Sequence, residues 1–236
     1  MVDESPRSGS PARPGPTPRA NALAYRYVRE GIARRVRARP RAADLPVPAS
    51  PGLSVLDTLV HLVRNCRAAE ANLCPGARRG PRLGGLALPE LLAEWELSAA
   101  RVESGLRRSV RARTGSVLVM DAFTHEYDLA RALGDRFPAE HPALPAAFDV
   151  AFGGFDAAVR RAGLPPLSVR TRQASWTAGE GQARAGVGGE WIDLYRSFIG
   201  RRTTPQIRLL AWDQDPEPWL PAFSWGPFRP PLEPVE

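Results

Sequence analysis

The stretch Val119-Met120-Asp121-Ala122-Phe123-Thr124-His125-Glu126-Tyr127-Asp128 carries two chemically expensive groups on one helical face. Asp121 and His125 are four residues apart, just over one helical turn, so both side chains leave the helix on the same side. The helix is expected over about 116–133 and ends in Ala132-Leu133-Gly134, with Gly134 as its C-cap. A second chemically marked helix contains Leu53-Ser54-Val55-Leu56-Asp57-Thr58-Leu59-Val60-His61-Leu62-Val63. Ser54 suits its N-cap, with Asp57 in the first turn, where negative charge matches the helix dipole. Leu56, Leu59, Val60 and Val63 follow 3.6-residue spacing, and His61 sits beside that stripe. The chain has 3 histidines, two of them in these apolar helices. A buried imidazole left without a partner costs about 1–3 kcal/mol, so a partner is expected.

Two imidazoles and one carboxylate form a ligand set for a divalent metal, with positions left open as a catalytic site requires. Zinc suits that set, because it acidifies a bound thiol or water and polarises carbonyls without redox change. An intrahelical hydrogen bond between Asp121 and His125 is the simpler alternative. Asp128, three residues after His125, shares its face and either accepts a hydrogen bond from the ring or pairs with Arg131 or Arg136. Glu126 points about 100° away from the His125 direction and is expected outside the ligand set. His141, followed by Pro142, reads as a loop or helix-entry residue.

Two further helices complete a bundle. The first begins near Asn21, runs through Leu23, Tyr27 and Ile32, and stops before Pro40. Another spans about 88–112, opens with Pro89, and carries Leu91, Leu92, Trp95, Ala99, Val102 and Leu106. Four helices with short connections make an antiparallel bundle, whose metal sites lie between facing helices. Residues 75–87 form a Gly/Pro/Arg loop. A fifth helix, about 142–162, is followed by a change of texture. Leu167-Ser168-Val169-Arg170-Thr171-Arg172 alternates like a strand, and 174–178 and 183–187 read as two more. Helix returns at about 190–200 and 204–211, and the Pro/aromatic tail from Trp212 is expected to wrap the surface in extended form. The fold class is therefore α+β, with a helical bundle over 21–140 and a small α+β module over 141–236. Residues 1 to about 20 hold five prolines and almost no large apolar group, which predicts a disordered tail.

The bulk properties narrow the function classes. The net charge is +7, yet the chain contains no lysine, and its arginines are spread along the sequence rather than gathered into a footprint. Nucleic acid is therefore not the expected partner. No apolar run reaches the length of about 18 residues that a membrane helix needs, and Met1-Val2-Asp3-Glu4-Ser5 lacks a signal-peptide pattern, so a cytoplasmic location is expected. Cys66 and Cys74 have no C-x-x-C partner, and Cys66 lies about 140° around the helix from His61, so both read as small core residues.

Pro51-Gly52-Leu53-Ser54-Val55-Leu56-Asp57-Thr58-Leu59-Val60-His61-Leu62 resembles the Pro-Gly-Trp-Thr-Val-x-Asp-x-x-x-His-Leu motif of the mycothiol-dependent maleylpyruvate isomerase family, an actinobacterial branch of the DinB-like metalloproteins. The run from Asp121 to Gly134 resembles that family's second motif, an acid-x-x-x-His on the last bundle helix. Gly200–Arg208, Trp212–Leu220 and Phe223–Phe228 are similar to its C-terminal module, so the likeness covers about residues 21–230. The resemblance implies a DinB-like four-helix bundle with a sterol-carrier-like α+β domain behind it. It implies a metal, usually zinc, on His61, Asp121 and His125, and mycothiol as the thiol. The implied chemistry is cis–trans isomerisation of maleylpyruvate by thiolate addition, bond rotation and elimination. Three positions depart from the pattern: Asp121 stands where many members carry Glu, Leu53 replaces the usual Trp, and Tyr127 occupies a position where a related subgroup has a histidine.

The expected function is activation of a small-molecule thiol by a metal for isomerisation or S-transfer to an electrophilic small molecule. Arg201 or Arg202 would neutralise a substrate carboxylate. A non-catalytic metal- or ligand-binding module and a thiol-independent metal hydrolase or lyase are the alternatives.

Overall fold

A computed structural model describes residues 16–76, 79–110 and 112–235. Most of the expected disordered tail, residues 1–15, lies outside these described residues. Residues 18–20 of that tail are helical rather than disordered: α1 spans Pro18–Arg37, three residues earlier than the apolar pattern indicates. Thr17 caps it by accepting from Ala20 N at 3.1 Å, and Pro18 fills the first turn, where its missing N–H costs nothing.

The chain forms two compact units, Pro16–Ala151 and Phe152–Leu232. The sequence reading divides the chain at residue 140, in the loop before the fifth helix, whereas the compact units divide within that helix.

In the first unit α1 is joined by α2 (Val55–Leu73), α3 (Leu88–Arg108) and α4 (Ala112–Ala132). Helix α1 packs on α3 and α4, and so does α2, which closes a four-helix bundle. The expected boundary between α3 and α4 moves: α3 ends at Arg108 and α4 already starts at Ala112. No Gly or Pro marks that corner, so helical periodicity runs through it in the sequence. At α2 the capping box is present as expected. Asp57 N donates to Ser54 Oγ at 3.1 Å, and Ser54 N donates to Asp57 Oδ2 at 3.0 Å. Gly134, at φ 71°, ends α4 while Asp135 N returns to Ala130 O at 2.8 Å, which satisfies a carbonyl the helix leaves open.

The bundle core is apolar and closed. Val28, Ile32, Leu59, Val63, Leu91, Val102, Val119 and Phe123 have no exposed surface. Each such side chain contributes about 1.5–3 kcal/mol of burial. Trp95 supplies the largest body and satisfies its indole N–H on the Tyr25 hydroxyl at 3.0 Å. Cys66 is also fully buried, and loss of solvation pushes its thiol up to about 12, so it stays protonated as a core residue.

Helix α5 spans Leu144–Arg161. The second unit contains a four-stranded sheet in the order β2-β1-β3-β4. Its strands are β1 (Leu167–Arg170), β2 (Ser175–Ala178), β3 (Ala185–Gly188) and β4 (Ala211–Trp212). Strand β1 is antiparallel to β2 and parallel to β3, with Val169 opposite Val187. Helices α6 (Trp191–Phe198) and α7 (Thr204–Arg208) follow β3. The C-terminal segment departs from the extended wrapping expected of it. Trp212 belongs to β4, and Glu217–Phe223 forms a 3-10 helix with Trp219, Ala222 and Phe223 buried. Its indoles fix it in place. Trp219 Nε1 donates to Pro165 O and Trp225 Nε1 donates to Phe198 O, both at 2.8 Å. Phe223 joins the stack of Phe155 on Phe198, whose centroids are 4.7 Å apart. Aromatic bulk thus makes this segment core rather than wrapping. Among the described residues no helix is long and apolar enough to cross a membrane.

Candidate metal centre

Helices α2 and α4 pack together, and their contact brings His61 to Asp121 and His125. On α2 the residues Leu59, Leu62 and Val63 fix the buried stripe, leaving His61 at its edge with 35 % of its side chain exposed. On α4, buried Ala122 and Phe123 orient the helix so that Asp121 is 26 % and His125 12 % exposed. One donor atom from each of the three residues falls within a cluster no wider than 4.8 Å.

Asp121 does not form the intrahelical hydrogen bond that its spacing allows. His125 Nε2 is 3.8 Å from Asp121 Oδ1, beyond hydrogen-bond range. The close partner is across the helix interface, where His61 Nε2 lies 3.1 Å from the same oxygen. The two imidazoles meet edge to face, with centroids 4.8 Å apart at 67°. Both imidazole Nε2 atoms therefore gather at one carboxylate oxygen.

A residue overlooked in the sequence completes the group. Asn65, four residues after His61 and so on the same face of α2, donates through Nδ2 to Asp121 Oδ2 at 2.9 Å. The same nitrogen lies 3.0 Å from His61 Nε2. The i, i+4 relation to His61 was the available signal, but an amide carries no metal-ligand signature by itself.

Electrostatics follow the geometry. The hydrogen bond to Asp121 raises the His61 pKa above its ordinary value, against the opposing effect of burial. For Asp121, burial acts upward most strongly. The His61 hydrogen bond, the nearby His125 and the Asn65 amide together overcome it and hold the carboxyl below its ordinary value. A group that stays ionised beside two imidazoles is a cation-binding arrangement. Around a tetrahedral zinc with Zn–N of about 2.0–2.1 Å, neighbouring donor atoms lie about 3.3 Å apart. The two carboxylate–imidazole distances, 3.1 and 3.8 Å, bracket that spacing and the whole set lies within 4.8 Å, so the donors suit such an ion once the imidazoles draw together.

Other candidates occupy different surroundings. Glu126 is buried on the α1 side of α4, where His141 Nε2 lies 3.0 Å from its Oε2 and Arg35 Nε 4.0 Å from its Oε1. His141 precedes α5, accepts from Ala143 N through Nδ1 at 3.1 Å, and stacks on Phe137. It is a helix-entry residue, as its sequence context indicates, and also a buried partner for Glu126. Asp128 is 1 % exposed. Tyr127 packs on Phe137, with centroids 4.8 Å apart. Arg201 and Arg202 belong to the second compact unit, where Arg202 Nη2 donates to Asp193 Oδ1 at 2.6 Å.

The fold and this cluster together define a four-helix bundle that pairs two histidines with a carboxylate across α2 and α4, followed in the chain by a small α+β unit. Two solved structures share the architecture. They are a mycothiol-dependent maleylpyruvate isomerase, at TM-score 0.56 and 15 % identity, and a histidine-to-alanine mutant of the mycothiol-dependent maleylpyruvate isomerase, at TM-score 0.57 and 14 % identity. Each match covers 85 % of this chain and 95 % of the other. The α+β fold expected from the sequence is thus the fold of those structures. No protein-family model matches the chain, and no curated protein matches it in sequence.

Proposed function

We propose that the chain is a metal-dependent enzyme that activates a small-molecule thiol for isomerisation of, or S-transfer to, an electrophilic small molecule. The observation that carries this reading is the convergence of His61, Asp121 and His125 from two helices into one partly exposed donor cluster. Three protein ligands leave room for an exogenous ligand, which a closed four-ligand structural site does not. A divalent ion held there, zinc by the chemistry of the donors, supplies Lewis acidity and a lowered thiol pKa.

The protein's own groups divide the remaining work. His61 and His125 contribute neutral nitrogen donors, and Asp121 contributes the negative charge that offsets part of the cation's. Asp128, buried three residues beyond His125 on the same helix, is the candidate acceptor behind that ring, fixing which nitrogen faces the centre. Partial exposure of His61 and Asp121 gives a small molecule access from solvent, while the apolar stripes of α2 and α4 exclude water from the other side. Arg201 and Arg202 are proposed to meet a substrate carboxylate.

Mycothiol is the proposed thiol and maleylpyruvate the first substrate to test, because the solved structures that share the fold are of a mycothiol-dependent maleylpyruvate isomerase. The thiolate would add to the conjugated double bond, rotation would follow about the resulting single bond, and elimination would return the thiol unchanged. The test is turnover of maleylpyruvate by zinc-loaded protein with and without mycothiol. Thiol-dependent formation of fumarylpyruvate, lost in His125→Ala, is expected. Turnover of a hydrolysable substrate that needs no thiol would replace this reading with a metal hydrolase.

A further inference from the structure

We propose that Asn65 is a positioning residue of the metal centre, holding the outer oxygen of Asp121 so that the carboxylate presents a single oxygen to the two imidazoles. This inference rests on the metal reading above. The two oxygens of Asp121 have separate partners. Oδ1 faces His61 Nε2 at 3.1 Å and His125 Nε2 at 3.8 Å, whereas Oδ2 accepts from Asn65 Nδ2 at 2.9 Å. A carboxylate oxygen only accepts, so the amide must turn its nitrogen toward Asp121, and the orientation of Asn65 is settled by its partner.

The arrangement has a chemical consequence. A carboxylate with both oxygens free can grip a cation through one oxygen or through both. Tying Oδ2 to a donor favours the one-oxygen mode and leaves an additional position for an exogenous ligand. The donor comes from α2 and the carboxylate from α4, so the hydrogen bond also fixes the register between the two helices at the donor cluster. Asn65 Nδ2 also lies 3.0 Å from His61 Nε2, the ring nitrogen that faces Asp121 Oδ1, so the amide borders both donor atoms.

The experiment uses the full chain, with Asn65→Leu and Asn65→Ala to remove the donor and Asn65→Gln to retain it. Zinc affinity is read by competition with a chromophoric chelator, coordination by the visible spectrum of the cobalt(II) form, and folding by melting of the metal-free protein. Loss of an outer hydrogen-bond partner weakens metal binding by about 10–100-fold. Asn65→Leu and Asn65→Ala are expected to lose affinity by that factor, with a weaker cobalt absorption as the coordination number rises, and with near-wild-type melting. Asn65→Gln should recover most of the affinity. Wild-type zinc affinity and an unchanged cobalt spectrum in Asn65→Leu or Asn65→Ala would overturn the role of Asn65 while leaving the metal site intact. So would an equal loss in Asn65→Gln. A wild-type protein that binds neither zinc nor cobalt would overturn both readings.

Discussion

At Asp121 burial and hydrogen bonding act in opposite directions, and the hydrogen bonds prevail. His61 gains a proton-stabilising partner, so its pKa rises above 6.5, and Asp121 falls below 3.8. In the metal-free protein the imidazolium's contribution to stability is complete below the ordinary histidine pKa and is lost as pH rises through the raised one. The carboxylate's contribution is present above the ordinary aspartate pKa and is lost as pH falls through the lowered one. The pair is therefore strongest between these values. Zinc requires the neutral imidazole, so it competes with the proton that Asp121 stabilises on His61. Chelator-competition titrations between about pH 5.5 and 8 should show zinc affinity climbing with pH and still rising above the ordinary histidine pKa of about 6.5. A pH-independent affinity would remove His61 from the ligand set.

At the scale of elements, the α1–α4 contact depends on a missing side chain. Gly31 lies against Glu126, and a Cβ there would overlap the Glu126 carboxylate. Alanine is the better helix former by about 1 kcal/mol, yet overpacking a buried site costs about 1–3 kcal/mol. Gly31→Ala is therefore expected to be neutral to destabilising by about 2 kcal/mol in urea denaturation, where propensity alone would stabilise. Removing the partner in the same chain, Glu126→Ala with Gly31→Ala, should abolish the clash and show coupling between the two sites. At the other histidine-bearing helix, Ser54→Ala removes the α2 cap and should cost about 1 kcal/mol by the same measurement. The helix pair at the donor cluster was legible in the sequence because each helix announces itself. Ser54 and Asp57 mark a start, Gly134 marks an end, and His61, Asp121 and His125 are rare polar groups in apolar runs. The α3–α4 corner was not legible, since Ser109-Val110-Arg111 carries no breaker. Asn65 was not legible either, because what it does depends on the carboxylate of another helix.

Across the whole molecule, patterned segments were readable and unpatterned ones were not. Helical periodicity and strand alternation locate α1 to α5 and β1 to β3. The 3-10 helix at Glu217–Phe223 and the two-residue β4 have no period, and the burial of that 3-10 helix comes from aromatic groups contacting distant parts of the same unit. Asp121 and His125 share a face by spacing alone; His61 was expected to join them as a rare imidazole in a second apolar helix, and the packing of α2 on α4 brings it there. A ligand that binds only the folded bundle stabilises it by mass action, by about 2.7 kcal/mol at a free concentration 100 times its Kd. Zinc should therefore raise the melting temperature of the wild type by several degrees and leave His61→Ala and His125→Ala unchanged in calorimetry.

The most direct test of the metal centre is the metal content, by mass spectrometry, of protein purified without an affinity tag or added metal, together with His61→Ala and Asp121→Ala. The account predicts about one zinc per chain in the wild type and its loss in both variants. A metal-free wild type that also fails to take up added zinc would contradict it, and His61, Asp121 and His125 would then be polar groups of an ordinary helical bundle.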